Sequence, residues 1–133
     1  MQETGVAYEG ISPVPFAEAV ARAKAALAGE GFGVLTEIDV QATLKAKLGV
    51  ERPAYVILGA CHAPSAHRAL EASPEVGVLL PCNVTVSVEG GRTVVRAMKP
   101  ASVMAVIGNP ELEPIGEQVG EALRRVVAAC ERA

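Results

Sequence analysis

The Gly90-Gly91 dipeptide is the feature that most restricts the folds open to this chain. Apolar and polar residues alternate over residues 84–89 before it, and residues 92–97 after it are again typical of a strand. Both glycines can adopt the positive φ angles that a two-residue hairpin turn requires. The sequence therefore predicts an antiparallel hairpin, which excludes a sheet built only from parallel strands.

The two-residue turn also predicts how the strands pair. In the resulting register, residues of opposite charge flank the turn, and apolar residues face each other further along the strands. The expected cross-strand pairs are Glu89 with Arg92, Val86 with Val95, and Val84 with Ala97.

Segments with helical and strand periodicity alternate along the rest of the chain, and the connections between them are short. Further strands are expected over residues 3–9, 32–38 and 54–60. Helices are expected to begin at Ser12-Pro13, after Asp39, near Pro64, at Pro100 and at Asn109-Pro110. This arrangement predicts one α+β domain over residues 1–133.

The second of these helices has a recognisable start and an apolar side. Asp39 is placed to cap its first N–H groups. Val40, Leu44 and Leu48 follow at helical spacing, so we expect them to form a buried face.

The charge pattern argues against a nucleic-acid partner. The chain has 12 basic and 15 acidic residues, which are interspersed and give a net charge of −3. Proteins that bind DNA or RNA present a basic surface to the phosphates. Proteins that bind single strands also stack bases on aromatic side chains. This chain has two Tyr, two Phe and no Trp, so neither requirement is met.

The chain also lacks the features of a membrane or secreted protein. No segment approaches the ~20 consecutive apolar residues of a membrane span. Residues 1–5 carry neither the basic nor the apolar region of a secretory signal. We therefore expect a cytoplasmic location and no membrane partner.

Three sequence blocks resemble a known family. They are GFGVLTEIDV over residues 31–40, YVILGAC over residues 55–61 and GVLLPCNV over residues 77–84. In this order they resemble the uncharacterised bacterial and archaeal domain of unknown function numbered 302, over nearly the whole chain. The resemblance implies a curved, largely antiparallel sheet with helices packed mainly on one face, as in the TATA-binding-protein-like class. It implies no accepted activity and no catalytic residues.

The three cysteines are expected to be reduced. An odd number of cysteines in a cytoplasmic chain does not suit a disulfide framework. Cys130 lies on the apolar side of the last helix, so we interpret it as a core residue. Cys61 and Cys82 lie near strand ends, where binding sites are often built.

A candidate ligand-binding site follows from these strand ends. Its proposed residues are Glu37, Cys61, His62, Cys82 and Asn83. Their spacing matches no zinc motif, so we expect neither a metal site nor a cofactor. Asp39 could pair with Glu37 for acid–base chemistry, but an N-cap is the favoured interpretation.

Three functions are compatible with these features. The favoured one is a small-molecule binding domain without catalysis. The second is thiol redox or transferase chemistry at Cys61, which a helix N-terminus and His62 could activate. The third is a structural role as a homodimer, in which Val94, Met98 and Leu79 leave an apolar patch on the sheet.

Overall fold

A six-stranded sheet forms the centre of the computed structural model, which describes residues 1–133. The strands are β1 (Gln2–Glu3), β2 (Ala7–Ser12), β3 (Gly33–Asp39), β4 (Tyr55–Cys61), β5 (Cys82–Glu89) and β6 (Arg92–Met98). Their order in the sheet is β1-β2-β6-β5-β4-β3, and every neighbouring pair is antiparallel. The predicted α+β class with an antiparallel sheet is therefore confirmed.

Five α-helices accompany the sheet. They are α1 (Phe16–Gly29), α2 (Val40–Leu48), α3 (Ala63–Ala72), α4 (Pro100–Met104) and α5 (Glu113–Cys130). Short 3₁₀ helices cover Pro74–Leu79, Ala105–Ile107 and Pro110–Leu112. None of the helices combines the length and the apolar character needed to cross a bilayer.

The hairpin at Gly90-Gly91 forms as predicted. Gly90 has a φ of 58° and Gly91 a φ of 77°. The predicted pairs of Glu89 with Arg92, Val86 with Val95 and Val84 with Ala97 are all present. Because side chains alternate along a strand, this register directs the valines of β5 to one face of the sheet.

The main core lies between this face of the sheet and helices α1 and α5. Leu27 of α1 and Leu123 of α5 are fully buried against Leu58 and Val84 of the sheet. Burying each such side chain stabilises the fold by roughly 1.5–3 kcal/mol. Cys130 is also in this cluster, which confirms its interpretation as a core residue.

Two predicted boundaries near the N-terminus were wrong. The first strand region is divided into β1 and β2, and β2 extends to Ser12, which pairs with Thr93. The following helix consequently begins at Phe16 and not at Ser12-Pro13. Pairing with β6 provides backbone hydrogen bonds that local sequence preferences do not reveal.

Helix α2 has the predicted cap but not the predicted buried face. Asp39 Oδ1 accepts a hydrogen bond of 2.9 Å from the backbone N–H of Ala42. No residue of α2 is buried, and Leu48 is 69 % exposed. The helix follows β3, which is one of the two edge strands, so fewer sheet residues are available to cover it.

The predicted apolar patch on the sheet is not exposed either. Val94 is 5 % exposed, and Met98 and Leu79 are partly buried against the two apolar clusters. The exposed apolar side chains on and after the edge strand are different ones: Leu35, Ile38, Leu48 and Val50.

Helices α4 and α5 approach each other closely at Gly116. A Cβ atom at this position would lie 2.9 Å from the Cα atom of Ala101. Only a glycine therefore permits this crossing without movement of the backbone.

Candidate functional site

The two cysteines of the candidate site lie on neighbouring strands. Cys61 ends β4 and Cys82 begins β5, and Ala60 is the direct partner of Cys82 in the sheet. His62 follows at once as the N-cap residue of α3. Cys61, His62 and Cys82 line one cleft, whose other residues are mainly apolar and include Leu80, Met104 and Ile115.

This apolar cleft is narrow. Its volume is about 20 Å³, which is close to the space that one water molecule requires. The cleft therefore lacks room for an organic ligand unless its side chains move.

Burial makes two of the thiols poor nucleophiles. Burial raises the pKa of Cys82 to about 11, and the nearby Cys61 acts in the same direction. Burial likewise raises the pKa of Cys130 to about 11. The thiolate is the reactive form of cysteine, so neither of these residues suits thiol chemistry at neutral pH. Cys61 is half-buried.

The His62 ring is held from three sides. Its Nδ1 lies 2.7 Å from Ser65 Oγ, one turn into α3. The Phe32 ring packs against it at a centroid distance of 5.5 Å. Gly31 completes the enclosure, since a Cβ atom there would lie 3.3 Å from the ring. The φ of Gly31 is 84°, a value that also favours glycine at this position.

The contacts of Ser65 determine which ring nitrogen of His62 carries the hydrogen. Ser65 is 2 % exposed, and its Oγ accepts a hydrogen bond of 3.3 Å from Arg68. Arginine is only a donor, so His62 Nδ1 is the one acceptor within reach of the Ser65 hydroxyl. Nδ1 is accordingly assigned as the acceptor, which puts the hydrogen of the neutral ring on Nε2. Nε2 has no hydrogen-bond partner within the chain.

A second cleft shares His62, Ser65 and Val119 with the first. We call it the His62 cleft, and its volume is about 110 Å³. Helix α5, the turn before β3 and the start of α3 supply its walls. Its lining residues are Glu30, Phe32, His62, Ser65, Gln118, Val119, Ala122 and Arg125.

Two of the predicted site residues, Glu37 and Asn83, do not line the cleft that contains the cysteines. Gly33 pairs with Cys61, so the antiparallel β3 carries Glu37 towards the opposite end of β4. There Glu37 binds Lys24 at 3.0 Å and, with Asp39, lines a separate cleft against α1. Asn83 is exposed and alternates with Cys82, which places it on the other face of the sheet.

Comparison with known proteins identifies the family. The model described as "Domain of unknown function DUF302" matches residues 8–130. The chain belongs to the DUF302 family. The DUF302 resemblance predicted from the three sequence blocks is thus confirmed, and the family description gives no activity.

A solved DUF302 structure has the same fold. It is the crystal structure of an uncharacterized conserved DUF302 protein from Bacillus stearothermophilus, which is 29 % identical in sequence. The two superpose with a TM-score of 0.89 over 94 % of this chain and 98 % of the other. No protein with a curated description matches the chain.

Within this DUF302 chain, the sequence did not indicate four polar residues around His62. Ser65 and Arg68 follow His62 at intervals of three residues, so the helical spacing at the start of α3 was an available signal. Gln118 and Arg125 come from α5, and no local pattern connects them with His62. No cluster of three or more His, Cys, Asp or Glu side chains could hold a metal ion.

Proposed function

We propose that this DUF302 domain binds a small molecule in the His62 cleft without catalysing a reaction. One observation carries the proposal: an immobilised imidazole lines the cleft, and its Nε2 has no hydrogen-bond partner in the chain. A polar group fixed in this way loses little conformational freedom when it binds a ligand. The adjoining 110 Å³ cleft offers space for one.

Two candidate nucleophiles near His62, Ser65 and Cys82, do not suit catalysis. A nucleophilic mechanism needs a reactive group beside a base. Ser65 contacts His62, but its hydroxyl is buried and already donates to Nδ1 and accepts from Arg68. Burial raises the pKa of Cys82 to about 11, which keeps that thiol protonated.

We also propose that the domain acts in the cytoplasm. The support is chemical: all three cysteines are unpaired, and unpaired thiols persist in reducing compartments.

The two histidines of the chain provide the test. A collection of small acids, amides and amines is screened against the wild type by ligand-observed NMR. We expect His62→Gln to weaken binding of the hits by about tenfold, since one well-placed hydrogen bond is worth about 1 kcal/mol or more. His67→Gln is the matched control, because His67 is exposed on the same helix.

The screen also has a clear negative outcome. Hits that bind His62→Gln and the wild type equally would exclude the His62 cleft as the site. If His62→Gln does not fold, Gln118→Ala tests the same cleft from its exposed rim. Unchanged binding to that folded variant would likewise contradict the proposal.

A further inference from the structure

We infer that the ligand of the His62 cleft is a small organic carboxylate, an inference that rests on the proposed function. The cleft offers hydrogen-bond donors that no residue of the chain uses, while its side-chain acceptors already receive hydrogen bonds from arginines. It also combines this polar side with an apolar wall. These two properties define the chemical class of the ligand.

The donors come from three side chains. His62 lines the cleft, and its Nε2–H has no hydrogen-bond partner in the chain. Gln118 uses its Oε1 to accept from Arg68 at 3.0 Å, so its amide N–H groups remain available. Arg125 donates through Nε and Nη2 to Glu30, which leaves N–H groups of the guanidinium unused.

The side-chain acceptors of the cleft already receive hydrogen bonds. Glu30 is its one carboxylate, and it accepts hydrogen bonds of 2.9 to 3.2 Å from Arg125. The Arg125 guanidinium holds the pKa of Glu30 below its ordinary value, so this group remains ionised and paired. A ligand that donates hydrogen bonds would compete with Arg125 for this carboxylate.

The local charge also favours an anion. The hydrogen-bonded network around the cleft contains two guanidinium groups, Arg68 and Arg125, and one carboxylate, Glu30. Glu121 is a further carboxylate near Arg125, but it pairs with Arg124, and the chain as a whole carries a net charge of −3. Hydrogen bonds between such donors and a carboxylate are stronger than those between neutral groups.

The size and apolar wall of the cleft indicate an organic ligand. Phe32, Val119 and Ala122 form that wall, and an inorganic anion would leave it uncovered. Sites for drug-sized ligands occupy roughly 300–1,000 Å³, compared with about 110 Å³ here. An acid of a few carbon atoms therefore fits better than a nucleotide or a peptide.

Three probes with one apolar body and different head groups test the inference. They are isobutyrate, isobutyramide and isobutylamine, titrated into ¹⁵N-labelled protein and followed by two-dimensional NMR. We expect isobutyrate to shift the Gln118 side-chain amide and the backbone signals of residues 62–66. We expect isobutyramide to bind about tenfold more weakly, because it lacks the charge, and isobutylamine not to bind there.

Adjacent arginines on α5 provide matched variants. Arg125→Gln is expected to weaken isobutyrate binding about tenfold. Arg124→Gln is the control, because Arg124 pairs with Glu121 and does not line the cleft.

The outcomes separate the inference from the proposed function. Equal binding of all three probes in the cleft, or preference for the amine, would overturn the carboxylate and leave small-molecule binding intact. Phosphate that competes as well as isobutyrate would overturn the organic ligand class. Loss of isobutyrate binding in Arg124→Gln but not in Arg125→Gln would place the anion elsewhere. If neither these probes nor the wider screen perturbs the cleft, both proposals fail.

Discussion

At the scale of the residue, the three cysteines have the same side chain in different surroundings. Cys82 and Cys130 are buried, and Cys61 is only half-buried. Burial raises the pKa of both buried thiols to about 11. At pH 8 such a group is a thiolate about one-thousandth of the time, so exposure and ionisation both disfavour its reaction.

We therefore expect iodoacetamide at pH 8 to label Cys61 of the native protein well before Cys82 or Cys130. Peptide mass spectrometry over a time course measures the three rates separately. Labelling in guanidinium chloride is the control, since all three thiols should then react at similar rates. Native Cys82 reacting as fast as Cys61 would show that the start of β5 opens readily.

Glu89 links stability to pH. Arg96 and Ser87 donate hydrogen bonds to its carboxylate, which lowers the pKa of Glu89 from 4.5 to about 2. A carboxylate whose pKa is lower in the folded state stabilises the fold above its unfolded pKa. This contribution is lost as the pH falls from about 4.5 to about 2.

Glu89→Gln should accordingly lower the free energy of unfolding at pH 7 and have little effect at pH 2. The side chain is 42 % exposed, so we expect a loss of no more than about 1 kcal/mol. Urea denaturation at both pH values measures it. Glu117→Gln, at an exposed position without an ion pair, is the control. A loss that is the same at both pH values would contradict the electrostatic origin.

At the scale of the element, the sequence was most informative where local geometry decides the structure. The Gly90-Gly91 turn and the Asp39 cap involve neighbours in the chain, so their residue types were sufficient to predict them. The apolar face of α2 is the contrasting case. Its periodicity specified which side chains share a face, but not whether another element covers them, and none of its residues is buried.

Gly116 is expected to be indispensable for the crossing of α4 and α5. Gly116→Ala places a methyl group 2.9 Å from the Ala101 backbone, and overpacking of this kind costs about 1–3 kcal/mol. Gly29→Ala is the matched helical control, because a Cβ atom there meets nothing within 4 Å. Chemical denaturation compares the two. Equal free energies of unfolding for the two variants would mean that α4 can move away from α5 without loss of stability.

At the scale of the whole molecule, the sheet register determined which candidate residues meet. The sequence placed Cys61, His62 and Cys82 near strand ends but did not place the two cysteines beside each other, and the pairing of β4 with β5 brings them into one cleft. Glu37 lies elsewhere because β3 runs antiparallel to β4. The contribution of α5 depends on tertiary packing, so Gln118 and Arg125 had no signature in the sequence.

The homodimer remains a prediction, with a different surface from the one first expected. Edge strand β3 leaves backbone groups unpaired and exposes Leu35 and Ile38. An antiparallel edge can pair with the same edge of a second copy about a two-fold axis. We expect light scattering to give the mass of a dimer, and Ile38→Lys to give a monomer.

An apolar residue at a distant exposed position provides the control for this experiment. Val106 is 87 % exposed and lies in a 3₁₀ helix away from β3. Val106→Lys should therefore keep the mass of the wild type. A monomeric wild type at high micromolar concentration would remove the basis for the dimer.

The strand order has a consequence for the chain during its synthesis. Strands β3 to β6 are neighbours in the sheet in the order in which a ribosome makes them, so each can pair soon after it emerges. Strand β2 is made earlier but pairs with β6, as Gly10 does with Val95. The nascent chain must therefore carry this strand without its longer partner, and with only the short β1 beside it, until β6 has been made, and contacts so distant in sequence form slowly. That interval is when chaperones and proteases compete most effectively for the chain.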